Sequence, residues 1–404
     1  MRGHLSWMGC AAAALVLVTA CAAPNGQSPR AAGSAPGLAA SKARNGSASP
    51  AGGASRGGAV GAAAVRQLRL RGQIGVRLAG ETLAVTHDGG RTWAPVSLPA
   101  GLAPANIAAV DSAPDGAPLL AAVDPTGSVH VYRYAAEWSA VRLDPRWPAG
   151  TSTADGTEQV AFHPAAGGIV AVVVSLAGGG FSAEHALFVS TDNGGHFGPP
   201  ATPNGPDVNV RWSGLLMVTP RIGVLVAGPT QELLLRTTDG GASWQRLSVP
   251  GVGGPGTFAL GAPVLSGSRI DIPVTVQAAA DGSREKFFLL ASDDQGATFT
   301  VRGVALDIPA DFAPTGAVTG NTGSTWWVVA PSIGTVYETT DDGASWRTVH
   351  ETGLALNTVA VTLTGPAAAT AVIAVNSCAN DKSECTMTVT VEQTTDGGAT
   401  WSPA

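Results

Sequence analysis

The phrase TTDGGASW at residues 237–244 is one of six near copies in the chain. The others are THDGGRTW (86–93), STDNGGHF (190–197), SDDQGATF (292–299), TTDDGASW (339–346) and TTDGGATW (394–401), all variations on Ser/Thr-x-Asp-x-Gly-x-(Ser/Thr)-Trp/Phe. Their aromatic ends, Trp93, Phe197, Trp244, Phe299, Trp346 and Trp401, stand 104, 47, 55, 47 and 55 residues apart. A first interval twice the others places a seventh, degenerate copy near residue 140. There VHVYRYAAEWSAV keeps the strand pattern and Trp138 but has Arg133 and Ala135 where Asp and Gly belong.

Between the boxes, stretches such as TAVIAVNS, TMTVTVEQT, IDIPVTVQA and LLLRTT run apolar or alternate over strand lengths. A period of about fifty residues built of strands and turns suits a propeller blade, because a lone four-stranded sheet exposes both faces and must stack on its neighbours. The expected fold is all-β: a single seven-bladed β-propeller of four-stranded antiparallel blades over residues 65–404. The alternative is a six-bladed ring with VHVYRYAAEW as an insertion. Residues 65–97 carry a complete first blade, which leaves ring closure by packing or by a small strand exchange both open.

The box explains itself structurally. Its glycine (Gly90, Gly194, Gly241, Gly296, Gly343, Gly398) permits a turn that other residues resist. The aspartate two places earlier (Asp88, Asp192, Asp239, Asp294, Asp341, Asp396) can accept hydrogen bonds from the turn's own amides, and the aromatic then packs between blades. A calcium loop of EF-hand type needs a Glu eleven residues after its first Asp. Counting on from Asp88, Asp192, Asp239, Asp294 and Asp341 reaches Pro99, Pro203, Pro250, Ala305 and Thr352 instead. Catalysis is a poor fit as well, since it needs an acid and a base in different environments rather than copies of one acid round a ring.

These boxes resemble the Asp-box, or BNR, repeat of sialidases, sortilin-type receptors, xyloglucan-cleaving glycosidases and photosystem II assembly factors. The resemblance spans residues 65–404 and implies the propeller, with the boxes on the blade periphery away from any active site. Sialidases clamp a substrate carboxylate with three arginines, use a Tyr–Glu nucleophile and an Asp acid, and carry an Arg-Ile-Pro phrase near the start. Here that start reads VRQLRLRGQIGVRL, without proline. Of three tyrosines, Tyr132 and Tyr134 lie in the degenerate repeat and Tyr337 enters the strand before a box. Arg211, Arg221 and Arg269 are candidates for a clamp, and Asp111, Asp115, Asp155, Glu158, Asp271 and Asp311 are candidate loop acids for glycoside hydrolysis.

Other chemistry finds little support. GVGGPG at 251–256 precedes a strand-like run, which argues for a loop and against dinucleotide binding. His87, His130, His163, His185, His196 and His350 show no metal spacing, and no metal or cofactor is expected. Trp147, Trp212, Trp326 and Trp327 lie outside the boxes and read as blade packing.

The N-terminus speaks to location. Residues 1–20 form a leader ending in Val18-Thr19-Ala20 before Cys21, which resembles the bacterial lipoprotein signal whose cysteine is diacylated. Residues 21–64 are rich in Ala, Gly, Ser and Pro with no acidic residue, and read as a disordered tether. Setting aside the five cations before residue 65 leaves 18 basic against 29 acidic residues in 65–404, a net charge of about −11 that argues against nucleic-acid partners. Cys378 and Cys385 bracket ANDKSE between two strand-like runs, where they would face each other as a disulfide in an oxidising compartment. The expectation is therefore a monomeric, lipid-anchored, extracytoplasmic binding or scaffold module for a protein or glycan of the cell envelope, without catalytic residues. The alternative is a sialidase-like exo-glycosidase.

Overall fold

The computed structural model describes residues 65–403 apart from the stretches 125–127, 146, 148–157, 178–181, 204, 229–230, 253–257, 278–283, 310–317, 323, 331–334, 351–357 and 379–384. The leader, Cys21 and the tether over 21–64 lie outside these residues, as do Asp155 and Asp311. Within the described residues, seven antiparallel sheets follow one another along the chain and form the blades of a seven-bladed propeller.

Blade 1 is β1 (Val65–Arg71), β2 (Ile74–Ala79), β3 (Thr82–Thr86) and β4 (Ala94–Val96). Blade 2 is β5 (Ile107–Ser112), β6 (Pro118–Val123), β7 (Val129–Tyr134) and β8 (Trp138–Leu143), entered through a short 3-10 turn at Pro104–Asn106. Blade 3 has three strands, β9 (Glu158–Ala165), β10 (Ile169–Ala177) and β11 (Ala183–Ser190), with Ala201 bridging to Leu187 where a fourth would run. Blade 4 is β12 (Trp212–Met217), β13 (Gly223–Ala227), β14 (Leu233–Thr237) and β15 (Gln245–Arg246). Blade 5 is β16 (Phe258–Leu260), β17 (Val264–Ser266), β18 (Arg269–Gln277), β19 (Arg284–Ser292) and β20 (Thr300–Pro309); β16 and β17 both pair with β18. Blade 6 is β21 (Val318–Thr322), β22 (Thr325–Ala330), β23 (Thr335–Thr339) and β24 (Arg347–His350), and blade 7 is β25 (Thr358–Gly365), β26 (Ala368–Cys378), β27 (Cys385–Thr394) and β28 (Ser402–Pro403).

The pleat divides each middle strand between two seams. On β13, Leu225 and Ala227 pack towards blade 3 while Val224 and Val226 pack towards blade 5. On β22, Trp326 and Val328 join the core shared with blade 5, and Trp327 and Val329 join the one shared with blade 7. Strands buried on both faces need apolar residues at every position, which is why GVLVA and TWWVV read as continuous runs. Trp326 and Trp327 are wholly buried, and burial at ~25 cal/mol per Å² makes each a contribution of a few kcal/mol as an upper bound.

Residues 129–138 are not an insertion. They form the outer hairpin of blade 2, with Tyr134 opposite Trp138 and the Ala135 amide donating to the Glu137 carbonyl at 3.1 Å. Lacking the Asp and Gly, this turn closes over three residues where the boxes take seven or more between strands. Among the described residues the ring closes by packing and shows no strand exchange, since the described strands of blade 1 and of blade 7 each come from one end of the chain. Across that seam Gln73 donates to the Thr364 carbonyl at 2.6 Å, Thr370 Oγ1 donates to the Gly89 carbonyl at 2.8 Å, and Leu68 packs against Val372.

Candidate functional site

The six boxes share one hydrogen-bond pattern. The aspartate Oδ1 accepts the amide of the residue four places on (Thr92, His196, Ser243, Thr298, Ser345, Thr400) at 2.9 Å in every case. Oδ2 accepts from the side chain of that same residue at 2.6–2.7 Å. The Ser or Thr two places before the aspartate donates to Oδ1 at 2.7–2.8 Å, and its own oxygen accepts the amide of the box glycine. Hydrogen bonds to the ionised form lower a carboxyl's pKa. The Thr298, Ser345 and Thr400 side chains accordingly hold Asp294, Asp341 and Asp396 at about 2. Burial works against ionisation of Asp192, and the bonds from His196 and Ser190 outweigh it to give about 2. Asp88, bonded by Thr92 and Thr86, lies lower still.

The same loop locks each blade to the one before it. The box glycines hold φ between 79° and 96°. A Cβ on Gly241 would stand 2.5 Å from Leu187 Cδ2 of blade 3, and one on Gly296 2.5 Å from Val224 Cγ2 of blade 4. The carbonyl just before the glycine is taken by the preceding blade: Arg133 Nε reaches Asn193 at 3.1 Å, Arg236 Nε reaches Gln295 at 3.2 Å, and Thr370 reaches Gly89. The aromatics sit at these seams too, Phe197 with blade 2, Trp244 with blade 3, Phe299 with blade 4, Trp346 with blade 5 and Trp401 with blade 6. Trp93, Trp244 and Trp401 donate their indole N–H to the carbonyl of their own box glycine at 2.9–3.1 Å. Trp346 turns to the Val304 carbonyl at 3.1 Å, because Val304 N already holds the Gly343 carbonyl at 2.7 Å.

The seam between blades 5 and 6 carries a charged clamp. Arg269 grips Asp271 in a two-pronged pair (Nε to Oδ1 2.7 Å, Nη2 to Oδ2 3.0 Å) and reaches Asp342 of the next box at 2.6 and 2.9 Å, which Arg302 also meets at 2.9 Å. Asp271 is 1 % exposed.

The first strands β1, β5, β9 and β12 touch one another in succession, as β21 touches β25. The first strands therefore line the axis. On β1, Leu68 and Leu70 turn into the seam with blade 7, so Gln67, Arg69 and Arg71 occupy the other face, towards β5. Arg71 holds Asp111 of β5 with Nε to Oδ1 and Nη2 to Oδ2, both at 3.1 Å, and Asp111 Oδ1 also accepts the Ser112 amide at 2.8 Å. Arg69 donates to the carbonyl of its neighbour Leu68 at 3.3 Å. His163 of β9 completes the group, with the backbone of Leu215 on β12 beside its imidazole. Burial, then the charge of Arg71, hold His163 at about 4, so it is neutral near pH 7. Burial also pulls Arg69 below its ordinary value against the opposing pull of Asp111. Arg71 lies deep in the ring, yet 46 % of its side-chain surface stays accessible.

Several candidates from the sequence fall elsewhere. Asp111 and Asp271 are not loop acids: they stand on β5 and β18, buried and each gripped by an arginine. Asp115 lies in the β5–β6 turn and pairs with Arg133, and the side chain of Glu158, on β9, is outside the described residues. Arg211 and Arg221 sit at opposite ends of β12, and Arg269 is committed to Asp271 and Asp342, so the three do not converge. Tyr337 is buried in the core between blades 5 and 6. Cys378 and Cys385 are Cα partners at the last rung of β26 and β27, their side chains lying outside the described residues. Among the described residues no group of three His, Cys, Asp or Glu could hold a metal ion. The axial group of Arg69, Arg71, Asp111 and His163 was not singled out from sequence. Its signal was there in VRQLRLR, where cations alternate with leucines on one strand.

The sequence matches no family model and no curated protein. Among solved structures the chain is similar to YCF48 from Cyanidioschyzon merolae, with 13% identity, 76% of this chain and 92% of that one covered, and a TM-score of 0.41. It is also similar to the α-L-arabinofuranosidase Arb93A from Fusarium graminearum (12% identity, 72% and 94% covered, TM-score 0.39). A third is PorZ, a surface component of the type-IX secretion system of Porphyromonas gingivalis, with 12% identity, 85% of this chain but only 38% of that one covered, and a TM-score of 0.45. These are β-propeller proteins, and the likeness concerns the fold alone.

Proposed function

We propose that this chain is a propeller of the Asp-box type, exported, diacylated on Cys21 and held by its tether on the outer face of the membrane, where it serves as a binding module for a protein or glycan of the envelope. The leader motif ending at Cys21 and the acid-free stretch that follows support the location, and the register of Cys378 with Cys385 supports a disulfide at that hairpin tip. The observation that favours binding over hydrolysis is the engagement of Asp111, Asp271 and the box aspartates. Asp111 and Asp271 have both oxygens gripped by a guanidinium, and the six box aspartates spend theirs inside their own loops. A general acid must carry a proton and aim it at a leaving group. A carboxylate forked by arginine aims both oxygens at the guanidinium and not at a leaving group.

The test is a pull-down from envelope extract and a glycan-array screen with the full chain, run beside fluorogenic sialic acid, galactose, glucose and xylose substrates. Specific capture without turnover is the expected outcome. Turnover abolished by substituting one carboxylate, Glu158 or Asp311 for instance, would establish the exo-glycosidase reading in its place.

A further inference from the structure

We propose that the axial group formed by Arg69, Arg71, Asp111 and His163 is a binding site for a small oxoanion, either a free inorganic ion or the carboxylate, sulfate or phosphate of a larger glycan. This deepens the binding-module reading and rests on it. The argument begins with charge. Asp111 balances one guanidinium, the one it forks, and its remaining bond goes to the Ser112 amide. Arg69 is left with a single long bond to a backbone carbonyl of its own strand. Arg66, further along the same strand, is also turned to a backbone carbonyl, that of Pro104 at 3.0 Å. No second carboxylate meets these arginines among the described residues of β1, β5 and β9. A part-buried guanidinium without a carboxylate beside it favours an anion at that place.

Geometry adds selectivity. A guanidinium offers donors in a planar fork that matches two oxygens of an oxoanion, whereas chloride can use only one direction at a time. The imidazole of His163, being neutral, adds no repulsion to Arg69 and Arg71. Asp111 sets a limit on the guest: a highly charged ion would meet its carboxylate, and the surrounding domain carries about 11 negative charges in excess. Entry along the axis is open at Arg71, whose side chain keeps nearly half its surface accessible.

The experiment is a calorimetric titration of the full chain at constant ionic strength, with chloride as background. The probes are inorganic phosphate, inorganic sulfate, acetate and glucuronate, with glucose as the uncharged control. The expected result is saturable binding of at least one oxoanion and none of glucose. Arg69→Gln is expected to weaken that binding by about 10-fold to 100-fold, the range of one charge-assisted contact. Arg69→Lys, which keeps the charge, should recover part of it, and the exposed control Arg246→Gln should change nothing. Glucuronate binding more tightly than acetate would assign the anion to a glycan, and equal or tighter binding of phosphate or sulfate would assign it to a free ion or an ester. Binding no different from chloride, or equal binding by folded Arg69→Gln, overturns the proposal. If Arg69→Gln still captures the envelope partner while losing no oxoanion affinity, this site falls and the binding module stands. Oxoanion binding without any captured partner has the reverse meaning.

Discussion

At the scale of single residues, the box divides its work between glycine and aspartate, and the two should fail differently. Gly241 holds φ at 94° and leaves no room for a Cβ against Leu187. Gly241→Ala is expected to cost ~3 kcal/mol, the sum of a strained backbone and a seam forced apart. Asp239→Ala loses bonds that face solvent and should cost ~1 kcal/mol. Urea midpoints of the two variants check the order. The carboxylates also predict an acid limb. A group depressed on folding stabilises fully above its unfolded value, here 3.8, and that contribution is lost as pH falls through about 2. His163 and His185 set a second limb. Burial holds both at about 4 against 6.5 in the unfolded chain, which therefore takes up their protons first, and stability should decline from about pH 6.5 to about pH 4 before levelling. Unfolding midpoints measured from pH 7 to pH 2 should show both limbs, with the upper one reduced in His185→Gln. The box residues were legible because a local turn writes its needs into eight consecutive letters. The grouping of Arg69, Asp111 and His163 was not, because they lie on different strands far apart in sequence and meet only when blades 1, 2 and 3 are stacked.

At the scale of elements, strands and blade count followed from period and apolar runs, while the departures came from contacts made between blades. Blade 5 carries the extra strand β17, and on β20 Gly303, with φ of 66°, sits against the backbone of Gly343. Its segment GVALDIP reads as an ordinary strand; only the neighbouring box shows why a glycine stands there. The charged clamp is the feature most exposed to mutation. Removing Arg269 leaves Asp271 buried without its guanidinium, so Arg269→Ala should cost ~3 kcal/mol, more than Arg236→Ala, which gives up one bond to a backbone carbonyl. Thermal unfolding of the two variants decides it. Asp111 and Asp271 resembled loop acids in the sequence because a buried acid interrupts the strand pattern, and the arginine that justifies each is visible only in the folded register.

At the scale of the molecule, closure was the part hidden from sequence, since it joins residues nearly three hundred positions apart. Thr370 is buried at that join, and Thr370→Val would leave the Gly89 carbonyl unpartnered. A loss of ~1–2 kcal/mol is expected, together with faster hydrogen exchange in β1 and β26 than in β13, which lies at the centre of two full cores. Closure without strand exchange among the described residues also bears on how the chain is made. Each blade draws its described strands from one stretch of chain, so it can take up its strands in order and stack on the blade before it as the chain is made, and none waits for a strand from the far end. The closing seam, with Gln73 on Thr364, Gly89 on Thr370 and Leu68 on Val372, depends on the seventh blade. A chain cut short by one blade would thus stop as an open arc with its first six blades already built.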